Sequence, residues 1–191
     1  EIPGNGIDDD GNGYIDDIHG FNFTKLTGNI DANSHGTHVA GTVAAVNNNG
    51  IGVSGVAGGT GNGDGVKVMS TQILGEGSTG GNIFRSYVYA ADMGAVISQN
   101  SWGYQSAGVY EQDVLDGIDY FINNAGDYPG SPMKGGIVSF ASGNSNKDDL
   151  FYPGIYDKCL AVSAIGPEGK KASYSNFGKW VDISAPGGDM D

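Results

Sequence analysis

The sequence predicts an α/β fold with a mostly parallel central sheet, and three observations carry that prediction. Short apolar runs bounded by Gly, Ser, Asn or Pro alternate with longer stretches in which apolar residues recur at three and four. No internal repeat breaks this alternation, and 191 residues with 38% hydrophobic content suffice for one substantial core, most simply one domain. Glycine is abundant, at 35 residues, but it has no collagen period. It lies between runs such as GGIVSFASG and KCLAVSAIG, as expected of short buried strands joined by tight turns.

In chain order, the first predicted element is a helix over 36–47, entered from NSHGTHVAG, followed by a strand within 66–73. A helix over 82–94 follows, with Ile83, Tyr87, Ala90 and Ala91 on one face, and then a strand over 95–99. The helix predicted over 110–125 carries Val114, Leu115, Ile118, Phe121 and Ile122 as its apolar stripe. Strands over 136–141, 159–165 and 180–184 complete the series. Strands alternating with helices make a parallel sheet covered on both faces. In such open sheets function gathers at the carboxyl ends of the strands. There AVISQ runs into NSWG, bringing Ser101, Trp102 and Gly103 to the edge, and IVSFA runs into SGNSN, placing Asn144 in a Gly/Ser loop.

Composition excludes several classes of partner. With 22 acidic and 9 basic residues the formal charge is −13, which argues against nucleic acid or an anionic membrane surface. No apolar run has transmembrane length and no signal peptide is present in this segment, so membrane insertion is not expected of it. Cys159 is the single cysteine; lying in the apolar run KCLAV, it reads as a small buried hydrophobe and not a nucleophile. GGTGNGDG at 58–65 does not fit G-x-G-x-x-G and precedes a strand, so it is not read as a dinucleotide loop.

The stretch NSHGTHVAG poses the functional question, because His35 and His38 lie three apart among small residues. A zinc pair on one helical face is His-Glu-x-x-His, spaced by four with a glutamate as base; HGTH has neither. The two histidines can simply be satisfied by hydrogen bonds. A catalytic reading needs partners, namely a nucleophile, an orienting carboxylate and donors for an oxyanion. Asn144 is a candidate donor through its side-chain NH₂.

At the N-terminal end, within 4–19, GNGIDDDGNGYIDD is patterned like a calcium loop. Asp8, Asp10 and Asn12 alternate as in the first half of an EF-hand loop, Gly13 supplies the sharp turn, Tyr14 offers a carbonyl, and Asp16 falls at the ninth position. Asp17 is a further ligand candidate. The twelfth position is His19 instead of glutamate, which excludes a sensor EF-hand and leaves a structural Ca²⁺ site or a solvated acidic turn.

NSHGTHVAGT, NNNGIGVSGVA, NSWG, SFASGN, FYPGIYDKCLAVSAI and VDISAPG, in this order, resemble the core of a subtilisin-like serine protease, or subtilase. The resemblance covers nearly the whole chain and implies a subtilisin-like three-layer αβα fold with a mostly parallel central sheet. It implies that His35 is the general base and acid and Asn144 the oxyanion-hole donor, converging at the carboxyl edge of the sheet. Ser101, Trp102 and Gly103 are then one wall of the substrate cleft; Gly80, Gly81 and Asn82 match the other, and Ser142 and Gly143 adjoin the oxyanion donor. By position, the resemblance also implies a second calcium loop, with Asn49 as side-chain ligand and Asn47, Ile51 and Val53 beside it. A polypeptide substrate is the implied partner, together with a propeptide.

Two members of the family triad are not visible. None of Asp8, Asp9, Asp10, Asp16, Asp17 or Asp31 lies in the family's Asp-Ser/Thr-Gly context, and the Gly-Thr-Ser-Met-Ala of the nucleophile does not follow APGG. The chain therefore reads as an internal segment of a catalytic domain, without the Asp-bearing strand and the Ser-bearing helix, and inactive alone. Two functions are expected of the parent: an extracellular or cell-surface endopeptidase stabilised by calcium, or a scaffold that keeps the fold without the chemistry.

Overall fold

The computed structural model describes residues 1–75 and 81–189. It contains two compact units, Glu1–Asn82 and Ile83–Asp191.

In the first unit, β1 (Gly20–Asn22) pairs in parallel with β2 (Ser70–Gln72), and α1 (Ser34–Ala44) lies between them in the chain. β2 sits inside the predicted 66–73, whereas β1 was not foreseen. Gly20, Phe21 and Asn22 are all buried, so no in–out alternation marks them as a strand. Gly20 has φ +120°, and a Cβ there would collide with the Ser70 backbone, so the ladder requires glycine at that point. Phe21 and Phe23 pack edge to face at 5.2 Å, and Tyr14 joins Phe21 at 4.8 Å. Asn22, fully buried, accepts from Thr24 N and Lys25 N and donates to Asn29 O, turning the chain after β1.

The second unit is built from α2 (Ile83–Asp92), β3 (Ile97–Asn100), α3 (Gln112–Asn124), β4 (Ile137–Ala141), β5 (Leu160–Ile165) and β6 (Ile183–Pro186). Its four strands form one parallel sheet in the order β3-β4-β5-β6. Among the described residues the pairing between strands β1–β6 is parallel, as expected, and is divided between two sheets, although β4, β5 and β6 follow one another with no helix between them. The predicted stripe of α3 is the buried one: Val114, Leu115, Ile118 and Phe121 face Val138 and Phe140 of β4, together with Tyr87 and Ala91 of α2. Burying side chains of this size contributes about 1.5–3 kcal/mol each. α3 packs on this face at β4, while Ile97, Ile137, Leu160 and Ile183 on the alternate positions are exposed. Gly136 lies directly against Phe121, where a Cβ would come within 2.8 Å of the Phe121 carbonyl oxygen.

Candidate active site

His35 occupies the first turn of α1, as expected. The helix is started by Asn33, whose side-chain oxygen accepts from His35 N at 2.9 Å and from Gly36 N at 3.3 Å; such an N-cap satisfies backbone donors that the helix leaves unpaired. The approach to this cap is tied down at Asp31. Its carboxylate accepts from Lys25 Nζ at 2.8 Å, Asn22 Nδ2 at 3.3 Å and Gln72 Nε2 at 3.3 Å, and its backbone N–H donates to Gln72 Oε1. The Lys25 ammonium is the main reason that the Asp31 carboxyl titrates below its usual range. The imidazoles of His35 and His38 belong to exposed residues.

In the second unit, two loops leave the carboxyl edge of adjacent strands. β3 and β4 run in register with Asn100 opposite Phe140, so Ser101–Gly103 and Ser142–Asn144 emerge side by side. Trp102 is fixed by its indole N–H, which donates to Asn100 Oδ1 at 3.1 Å, and by its ring, which packs edge to face on Phe140 at 5.4 Å. Gln99 Nε2 donates to Ser101 Oγ at 2.8 Å, and Tyr104 N donates to Tyr152 O at 3.0 Å. Backbone groups along such an edge can grip an extended peptide as an added strand.

The Ser142–Lys147 loop is held on both sides of Asn144. Before it, Ser142 N donates to Val162 O at 2.9 Å, and the buried Ser142 carbonyl accepts from Asn176 Nδ2 at 2.9 Å. After it, Ser145 N and Lys147 N both donate to Asn176 Oδ1, at 2.9 and 3.2 Å, and Asn146 N donates to Tyr174 O at 2.8 Å. Lys171 Nζ adds a bond to Asn146 Oδ1 at 2.7 Å. Among the described residues no hydrogen bond engages the Asn144 side chain, which is exposed at the tip of this loop. A carboxamide presented in this way is a donor available to an incoming oxyanion.

Gly81 is placed in the first unit by its N–H, which donates to Ile73 O at 2.7 Å, and by the Phe23 backbone, which leaves no room for a side chain. Asn82 is exposed, and Gly80 lies outside the described residues. A cavity of about 300 Å³ in the second unit is lined by Gly154, Tyr156, Cys159, Trp180 and Asp182 among others; none of the predicted cleft residues lines it. Cys159 is buried, and burial, followed by the charges of Asp119, Asp157 and Asp182, pushes its thiol up to about 12, in agreement with its reading as an inert core residue.

The acidic loop takes the predicted turn but gathers a different set of carboxylates. Asp8 Oδ1 accepts from Gly11 N and Asn12 N, and Oδ2 from Gly13 N at 2.8 Å; these bonds, Gly13's foremost, lower the Asp8 pKa and keep it ionised. Asn12 Oδ1 accepts from Tyr14 N at 2.7 Å. Oxygens of Glu1, Asp8 and Asp10 come within 4.8 Å of one another, an all-oxygen set that fits a hard cation such as Ca²⁺. Glu1 escaped the sequence reading because it lies outside the loop's spacing; its carboxylate is drawn in by Asp9 N at 3.0 Å and Asp16 N at 3.2 Å. Asp16 instead caps the start of the loop, accepting from Asn5 N and Gly6 N, and Asp17 accepts from Asn12 Nδ2.

In the second candidate loop, Asn49 Oδ1 accepts from Ile51 N at 2.9 Å, and Asn47 Nδ2 donates to Gly59 O at 3.0 Å. The Asn47 Oδ1 atom is buried without a hydrogen-bond partner among the described residues. Ile51 and Val53 are exposed. These groups offer neutral oxygens only, a weaker set for a cation than the acidic loop.

The fold and this edge of the sheet define a class of protein. Residues 4–190 match the Subtilase family, and the chain belongs to it. It is 34% identical over 163 residues to the thermophilic serine proteinase of Bacillus sp. (strain AK1), covering 84% of this chain and 36% of that protein. It is 34% identical over 162 residues to the extracellular basic protease of Dichelobacter nodosus, covering 80% of this chain and 24% of that one. Among solved structures, a protease from Pseudoalteromonas arctica matches with a TM-score of 0.67 and 32% identity, over 84% of this chain and 46% of that chain. The fold is therefore the subtilisin-like α/β fold. The chain spans between about a quarter and a half of the length of these proteins.

Proposed function

We propose that the protein carrying this chain is a calcium-stabilised, subtilisin-type serine endopeptidase that acts on polypeptides outside the cell or at its surface. His35 takes the proton of the serine hydroxyl as that oxygen attacks the scissile carbonyl, and returns it to the leaving amine. Histidine suits both steps because its charge changes between about pH 5 and 8. Asn144 donates to the oxyanion, while Ser101, Trp102 and Gly103, with Ser142 and Gly143 and the stretch Gly80, Gly81 and Asn82, line the cleft. The reading requires in addition a serine nucleophile and an orienting carboxylate, neither of which the family contexts mark within residues 1–191.

The observation that carries the reading is the presentation of Asn144: a carboxamide unengaged among the described residues, on a loop held at Ser142, Ser145, Asn146 and Lys147. Ca²⁺ at Glu1, Asp8 and Asp10 is a structural ion in this reading. An extracellular location is supported by the millimolar calcium that weak loops of this kind need and by the name of the Dichelobacter relative. A propeptide is a further partner in this reading, removed before activity appears.

The test uses the full-length protein with calcium, incubated with casein and with a serine-directed fluorophosphonate. Cleavage, labelling by the probe and loss of both in His35→Ala are expected. A folded, calcium-loaded, propeptide-free protein that neither cleaves nor labels would replace this reading with that of a scaffold on the same fold.

A further inference from the structure

We infer that Asn176 is a positioning residue for the oxyanion donor, holding Asn144 through the loop on either side of it; the inference rests on the role proposed for Asn144. Asn176 is 1% exposed and spends its whole side chain on the Ser142–Lys147 loop. The orientation of its amide is dictated by its neighbours. Two backbone N–H groups, of Ser145 and Lys147, face one side-chain atom, which must be the oxygen, and the Ser142 carbonyl faces the other, which must be the nitrogen. The side chain therefore bridges from the residue two before Asn144 to the residues one and three after it.

The backbone of Asn176 strengthens the same bridge. Its N–H donates to Gly143 O at 2.9 Å, and its carbonyl accepts from Ser142 Oγ at 3.3 Å. Gly143 has φ +106°, and a Cβ there would lie 2.5 Å from Asn176 Nδ2. Glycine is thus required both by conformation and by the close approach of this amide. Without the bridge, the loop SGNSN loses three of the hydrogen bonds that hold it. With it, the exposed carboxamide of Asn144 is mounted on fixed points, as transition-state stabilisation by a pre-placed dipole demands.

No other common side chain reproduces the arrangement. Aspartate supplies the acceptor but not the donor to Ser142 O, serine has one polar atom for three partners, and alanine leaves the N–H groups of Ser145 and Lys147 and the Ser142 carbonyl without their shared partner. A purely structural Asn176 would lower stability and leave the chemical step untouched. A positioning role predicts a loss in kcat that depends on Asn144 being present.

The experiment measures kcat and KM on a peptide substrate in the full-length protein, for wild type, Asn176→Ala, Asn176→Asp, Asn144→Ala and the double variant Asn144→Ala/Asn176→Ala. Removal of the oxyanion asparagine in subtilisin lowers turnover by about 10²–10³, a magnitude carried over to Asn144→Ala. For Asn176→Ala a kcat loss of about 10- to 100-fold is expected from misplacing the donor, with KM changed by no more than about twofold. Asn176→Asp, which keeps the acceptor for Ser145 and Lys147, should recover part of that loss. The double variant should be no slower than Asn144→Ala alone.

Wild-type kcat in folded Asn176→Ala, or a double variant slowed by the product of the two single effects, overturns the inference while leaving the protease reading intact. Should Asn176→Ala not fold, Asn176→Asp and its own double variant with Asn144→Ala carry the same comparison. A wild-type protein without turnover or fluorophosphonate labelling removes the protease reading, and this inference with it.

Discussion

The Tyr87 hydroxyl donates to Asn100 Oδ1 at 3.0 Å inside the core, tying α2 to the last residue of β3. The same oxygen accepts the Trp102 indole N–H at 3.1 Å, and Asn100 Nδ2 reaches across to Ser139 O at 3.2 Å and back to Ser98 Oγ at 2.9 Å. One buried carboxamide thus fixes a helix, two strands and a residue of the proposed cleft wall.

Removing it should be felt widely. Asn100→Ala leaves the Tyr87 hydroxyl and the Trp102 N–H without their acceptor, and a destabilisation of about 2–4 kcal/mol is expected from unmet buried polar groups. Tyr87→Phe removes one donor from an oxygen that keeps another, so about 1 kcal/mol is expected. Urea unfolding midpoints at unchanged slope would measure both; equal losses in the two variants would contradict the shared-acceptor arrangement.

Cys159 should not react with a thiol reagent at pH 8 in the native protein and should react fully once denaturant is added. Its thiol is pushed up to about 12 from an ordinary value of 9.0, so the thiolate that such chemistry needs is scarce in the folded state. Rapid native labelling would show that the side chain is not buried as described.

Alkaline pH should weaken the second unit. Burial pushes the Tyr104 hydroxyl up to about 12 from 10.0, and raises Tyr87 well above 10.0. These groups and the Cys159 thiol hold their protons more tightly folded than unfolded. Their contribution is therefore complete below the unfolded values, starting at 9.0 for the thiol, and is lost as pH rises toward the raised folded values, about 12 for Tyr104 and the thiol. Thermal melting should show a Tm that falls between pH 9 and pH 11, and a flat profile there would count against the burial of these groups.

Acid should act on the other unit. The Asp8 carboxyl is lowered from 3.8 by backbone N–H groups, that of Gly13 foremost. The sign is opposite: this contribution is present above 3.8 and is lost as pH falls through the lower folded value. If Ca²⁺ is bound at about a hundred times its Kd, it adds about 2.7 kcal/mol. EDTA should therefore lower the Tm, and Asp8→Asn should erase most of the calcium-dependent part. Asp16→Asn should loosen the loop even without calcium, because Asn5 N and Gly6 N lose a charged acceptor. A Tm insensitive to calcium in the wild type would remove the ion from the reading.

The packing of Gly136 on Phe121 gives a mutational test of the core. Gly136→Ala forces a methyl group against that ring and toward its backbone carbonyl, and about 1–3 kcal/mol of destabilisation is expected from overpacking. Phe121→Ala, which empties a fully buried site, should lose about 3–5 kcal/mol. Chemical denaturation of each variant provides the comparison.

By itself the sequence determined the parts whose signal is local. The apolar spacing of 110–125 specified which face of α3 is buried, because a helix repeats its faces every three to four residues. HGTHVAG and SGN marked His35 and Asn144 as candidates through the family resemblance they carry, because the residues alone leave a structural reading of the histidines open. Tertiary structure alone decided what depends on distant partners. β1 exists because GFN meets the Ser70–Gln72 backbone, and its all-buried pattern has no period to read. Glu1 joins Asp8 and Asp10 only because the chain folds back through the N–H groups of Asp9 and Asp16. Asn176, in the unremarked run YSNFG, becomes the support of the Asn144 loop across a separation of about thirty residues (31 from Ser145). Hydrogen bonds of that range carry no periodicity and no spacing, and they are set only when packing brings the two segments together.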